Sequence, residues 1–103
     1  MQTIKSFTQY MADTYSVEEL ADIATHGCEG GVSGMIYYNE TTALYNEYAD
    51  DLHAIVGEWK EETGMMPISI TDNIDNGRMF RNAMVWVSAQ LVAGQAISNK
   101  VEA

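Results

Sequence analysis

The 103-residue sequence has one cysteine, one proline and five lysines and arginines, and no long run of purely apolar residues. Each shortage excludes something. A lone cysteine, Cys28, cannot form an internal disulfide, which fits a protein of the reducing cytoplasm. Against the five bases stand fifteen acids, giving a formal net charge of −10. Such a surface repels nucleic acid and anionic membrane, so direct binding to either is not expected. The opening residues, MQTIKSFTQYMADTY, show neither an apolar h-region nor a small-residue cleavage site, which predicts no secretory leader. The longest uncharged run, NAMVWVSAQLVAGQAISN over residues 82–99, carries two Gln, two Ser, one Gly and an Asn at each end. It is too polar for lipid and reads as a central helix or a subunit contact.

What is present points to one all-α domain. At 103 residues and 47% hydrophobic content the chain can bury one core. Ile4, Phe7, Tyr10 and Met11 recur at helical spacing over residues 3–13. Ser16 followed by Glu19 is a capping box, and Val17, Leu20, Ala21 and Ala24 share one face of the helix it opens; Gly27 is expected to end that helix. A long helix over about 40–63, started by Asn39 or Thr41 and stopped at Thr63-Gly64, carries a buried stripe of Leu44, Tyr48, Leu52, Ile55 and Trp59. Pro67 and two Asn/Asp-rich turns separate it from the last helix and leave room for one helical turn. That last helix, from Arg78 or Met79 to about Asn99, has Phe80, Met84, Val87 and Leu91 on one face and Val85, Ala89, Val92 and Ala96 on another. The expected architecture is four helices, a short fifth, and little or no sheet.

The densest cluster of chemistry-bearing residues is THGCEGGVSGMIYYNET, residues 25–41. His26 and Cys28, joined by the distant His53, offer metal-ligand types, but not the four ligands in paired spacings that structural zinc uses. A Cys28 nucleophile with His26 as base lacks a third residue to orient the base, and residues two apart at a helix end diverge. The glycines lack the G-K-[ST] ending of a phosphate loop and place Glu29 where positive charge is wanted. The segment is read as a structural corner, with Gly27 needing a left-handed backbone or close packing; no catalytic residue, metal or cofactor is expected. Beyond it, Tyr37, Tyr38, Tyr45 and Tyr48 offer aromatic contact area at low entropic cost. Tyr48 falls on the buried stripe, leaving Tyr37, Tyr38 and Tyr45 as a secondary partner-binding set.

The acids carry the most information. At about 100° per residue, Glu40, Glu47, Asp51, Glu58 and Glu62 fall within roughly 60° of one another on the long helix. Spacings of four and seven residues place them about 6 Å and 10 Å apart along the axis, the former close to the phosphate separation along one DNA strand. Only Lys60 among the bases lies on this helix, so the usual i, i+4 Glu-Lys partners of a solvated face are almost absent.

Residues His26, Gly27, Cys28, Ser33, Gly34, Ile36, Tyr37, Tyr38, Thr41 or Thr42, and Tyr45 form a pattern of H-G-C, spaced glycines, S-G-x-I-Y-Y and T-x-x-x-Y. The pattern resembles a small family of uncharacterised proteins of bacteriophages, prophages and plasmids, with a weaker echo in FRNAMVW, residues 80–86. The resemblance implies a mobile-element setting and no specific activity. Small acidic domains in that setting resemble anti-restriction and anti-CRISPR inhibitors, which occupy basic nucleic-acid channels. The resulting expectation is a cytoplasmic, non-enzymatic anti-defence protein whose acidic helix face binds a basic surface of a host nucleic-acid enzyme. Two alternatives stay open: an assembly module using the uncharged last helix and the tyrosines, with a homodimer contact allowed there, and a small enzyme centred on His26 and Cys28.

Overall fold

The computed structural model describes residues 6–26, 36, 38–75 and 77–102. These form α1 (Phe7–Thr14), α2 (Val17–His26), α3 (Tyr38–Thr63), the single turn α4 (Ile68–Thr71) and α5 (Gly77–Glu102), an all-α domain with one core. Among the described residues no helix is long and apolar enough to cross a membrane.

Local signals set several helix ends. The Ser6 hydroxyl accepts from the Gln9 amide and opens α1. At α2 the capping box closes in both directions: the Ser16 amide donates to Glu19 Oε1 at 2.9 Å and the Glu19 amide to Ser16 Oγ at 3.1 Å. At the far end of α3, Gly64 adopts φ +72° and its amide donates to the Lys60 carbonyl, which is the left-handed stop that its lack of a Cβ permits. Thr41 does not cap α3, because α3 begins upstream at Tyr38 and carries Thr41 inside, fully buried.

Helix α5 is the axis, and α1, α2, α3 and α4 all pack on it. Five consecutive residues, Asn82 to Trp86, are buried, more than one full turn of helix, so neighbours surround α5 here instead of covering one stripe. Further along, Ser88, Ala89, Val92, Ala93 and Ala96 continue the buried surface, and the alanines let partner backbones come close. Of the two apolar faces read from the sequence, Val85, Ala89, Val92 and Ala96 are buried within the chain, whereas on the other Met84 is buried and Phe80, Val87 and Leu91 are half-buried. Onto this axis α1 delivers Phe7 and Met11, α2 Leu20 and Ile23, and α3 Leu52, all completely buried. Each such side chain contributes roughly 1.5–3 kcal/mol relative to exposure.

Two expected stripes are re-phased. On α2 the buried pair is Leu20 and Ile23, while Val17, Ala21 and Ala24 are exposed. The larger aliphatic Ile23 gains more from burial than either alanine. On α3 the buried row is Leu44, Tyr48, Leu52 and Val56, and Ile55 and Trp59 lie at its flank, half-buried. A row climbing by four residues drifts about 40° per step around a straight helix. Helix α3 is not straight: Tyr48, at φ −117° and ψ 17°, breaks its helical geometry. The break coincides with an aromatic trio in which Tyr48 meets Phe7 edge-on at 5.5 Å and Tyr10 at 5.6 Å between ring centroids.

Polar bonds inside the core tie α5 to α3 and to Ile36, just ahead of α3. The buried Thr41 hydroxyl donates to Asn82 Oδ1, and the Trp86 indole donates to the Ile36 carbonyl at 2.9 Å. Thr41→Val keeps the shape but leaves the Asn82 carbonyl oxygen without that donor, at a cost of about 1–3 kcal/mol. Pairing it with Asn82→Leu removes both polar partners and should recover most of the loss. Chemical denaturation of the two variants checks this; equal losses in both would show that the bond does not set the cost.

Candidate protein-docking face

The acids on α3 divide into two kinds. Asp51 is half-buried, and its Oδ2 accepts the Phe7 amide, the first helical N–H of α1, at 2.6 Å. At the opposite end of α1, the Lys100 ammonium donates to the Ala12 carbonyl at 3.0 Å. A carboxylate thus meets the positive end of this eight-residue helix and an ammonium its negative end, the arrangement the helix dipole favours. Asp51 is therefore a structural clamp as well as a member of the predicted ridge, with one oxygen already engaged. Glu47, Glu58 and Glu62 are exposed, and Glu40 is half-buried near the start of the helix.

The break at Tyr48 also divides the ridge: Glu40 and Glu47 precede it, and Asp51, Glu58 and Glu62 follow. Two open concavities flank the clamp. One, of about 620 Å³, is lined by Ser6, Asn46, Glu47, Tyr48, Ala49, Asp50, Asp51 and Ala54, beside the break in α3. The other, of about 490 Å³, lies where α1, α3 and α5 meet. Its acidic members are Asp51, Glu58 and Glu62; Ile55, Trp59, Leu91 and Val92 supply its apolar part, and Thr8 and Gln95 complete it. Asp51 borders both, and four of the five ridge acids line one or the other. Among the described residues no Lys or Arg lines either concavity, so a cation arriving there meets carboxylates from those walls.

Sequence reading missed Asp50, which joins the first concavity, and the apolar part of the second. A signal for the latter existed: Ile55 and Trp59 sit one turn apart on the side of α3 that carries Glu58 and Glu62. Which helices stand opposite them is not readable from local periodicity.

The remaining candidates are placed as follows. Tyr37, Gly27, Cys28 and the rest of the glycine segment lie outside the described residues, as does the side chain of Tyr38, whose backbone begins α3. Tyr45 is half-buried and packs on the core; its hydroxyl hydrogen-bonds His53 Nε2 at 2.8 Å. This bond spans the break at Tyr48 and ties the two halves of α3 together. His53 also lies 6.3 Å from the Phe80 ring. His26, exposed in the last turn of α2, places its Nε2 4.0 Å from the Asp22 carboxylate one turn back. Among the described residues no three His, Cys, Asp or Glu side chains are grouped to hold a metal ion.

No curated protein and no solved structure matches this chain. A family described only as a domain of unknown function (DUF7222) matches residues 1–102, and the chain belongs to that family.

Proposed function

We propose that the protein is a stoichiometric binding protein, without catalysis of its own, that uses the acidic side of α3 to occupy a basic surface on a nucleic-acid-binding protein. One observation carries the reading: Glu47, Glu58 and Glu62 project from α3 beside two concavities whose described lining residues include no Lys or Arg. A helix face stabilised for solvent alone would be laced with i, i+4 partners of opposite charge. Here the like charges stay uncompensated, a cost that a basic partner relieves on binding.

The net charge of −10 extends the field beyond contact and raises the encounter rate with a cationic cleft. Asp51 stiffens the site by fastening α1 to α3 beneath it, so the carboxylates are held on a packed scaffold instead of a loop. Combined with the resemblance to phage, prophage and plasmid proteins, this favours an anti-restriction or anti-CRISPR role in which the bound protein denies nucleic acid its channel. The corresponding place of action is the host cytoplasm.

Immobilised protein incubated with host lysate tests the reading. The retained proteins should be nucleic-acid enzymes, released both by duplex DNA and by about 0.5 M salt, where screening falls well below the roughly 8 Å of physiological ionic strength. Retention of partners that neither nucleic acid nor salt displaces would overturn it.

A further inference from the structure

We infer that the concavity between α1, α3 and α5 is a groove for a cationic amphipathic helix of the partner; this rests on, and sharpens, the docking role proposed above. The first argument is composition. A surface that met only flat basic channels would need carboxylates alone, yet this groove joins four apolar side chains to three acids: Ile55 and Trp59 of α3, Leu91 and Val92 of α5, beside Asp51, Glu58 and Glu62. The apolar members are half-buried or, for Val92, nearly covered, so each already sits in a packed wall and loses little freedom on binding.

The second argument is charge complementarity with a fixed spacing. Asp51, Glu58 and Glu62 run along α3 at intervals of seven and four residues, about 10 Å and 6 Å. A partner helix lying alongside α3 presents its own residues at the same rise. Lys or Arg at intervals of seven and four would therefore face the acids, while Leu, Ile or Phe three or four positions away would face Trp59 and Leu91. This is helix-in-groove recognition, with the charges setting orientation and the apolar row supplying contact. An extended peptide, advancing about 3.3 Å per residue, would need a step of about three residues for the 10 Å interval, and an odd step turns the side chain to the opposite face.

The test uses the full chain and two synthetic Lys/Leu peptides of identical composition, one with a helical leucine stripe flanked by lysines and one scrambled to remove the stripe. The striped peptide should bind at least about tenfold more tightly, one decade being 1.4 kcal/mol, and should change Trp59 emission, seen as the difference from Trp59→Phe. Glu58→Lys with Glu62→Lys should weaken it by about tenfold or more. Glu18→Lys, on α2, which contributes nothing to the groove, should leave it within about twofold. Equal, salt-sensitive binding of both peptides would overturn the groove while leaving acidic docking intact. Binding unaffected by the Glu58/Glu62 pair, or no binding of the striped peptide, would also overturn the groove; the lysate experiment then judges the docking role on its own.

Discussion

Replacing Asp51 by lysine should destabilise the protein more than any other single charge change on α3. The wild-type carboxylate accepts the Phe7 amide at 2.6 Å in a half-buried setting, and a hydrogen bond to a charged acceptor is worth about 1.5–3 kcal/mol. A cation beside the positive end of α1 adds roughly 0.3–1 kcal/mol of repulsion. The expected total of about 2–4 kcal/mol corresponds to a fall in melting temperature of at least about 10 °C for a domain of this size. Asp51→Asn keeps an acceptor oxygen and should lose only part of this. Glu58→Lys and Glu62→Lys, made at exposed positions, should stay within about 0.5 kcal/mol of the parent. Thermal unfolding followed by circular dichroism separates the three cases; an Asp51→Lys variant as stable as Glu58→Lys would show that α1 does not depend on this clamp. The contrast matters for function, because a loss of binding in any variant carrying Asp51→Lys would mix damage to α1 with loss of a docking charge.

The elements legible in the sequence are those set by local chemistry. The capping box at Ser16 and Glu19 closes as its spacing requires, α3 stops at Thr63-Gly64 as read, with Gly64 in the left-handed region, and the two-faced pattern of α5 becomes a helix on which the other helices pack. What escaped was set by contacts distant in sequence. Thr41 looked like a cap because threonine favours caps; its hydroxyl instead reaches a residue 41 positions away. The break at Tyr48 has neither Pro nor Gly to announce it and coincides with packing against Phe7 and Tyr10, contributed by α1. The acidic ridge was visible as a periodicity, but the division of labour within it was not. Asp51 and Glu58 both border the open groove, but Asp51 alone of the two also meets the start of α1, whose Phe7 amide donates to it.

Joint reversal of the three exposed ridge acids should produce the largest functional effect. Glu47, Glu58 and Glu62 are exposed and Asp51 is left in place, so the Glu47→Lys, Glu58→Lys, Glu62→Lys variant should keep the helical content and melting behaviour of the parent. Its association with a partner should slow by about 10²–10³-fold, the upper part of the roughly 10–10³-fold range over which electrostatic steering acts. The residual binding should lose most of its dependence on salt. Single reversals should have smaller effects, because the remaining charges maintain the field. A control with the same change in net charge, Glu18→Lys, Glu61→Lys and Asp72→Lys at exposed positions outside both concavities, should retain most of the binding.

The decisive measurement is therefore the association of these two triple variants with the partner recovered from lysate, compared with the parent at physiological and raised salt. The acidic-face account predicts that the ridge variant folds normally but binds at least about a hundredfold more weakly, a difference of roughly 2.7 kcal/mol, while the control stays close to the parent. A correctly folded ridge variant that binds as the parent does, or a control that loses as much as the ridge variant, would contradict the account and reduce these carboxylates to a solvated surface.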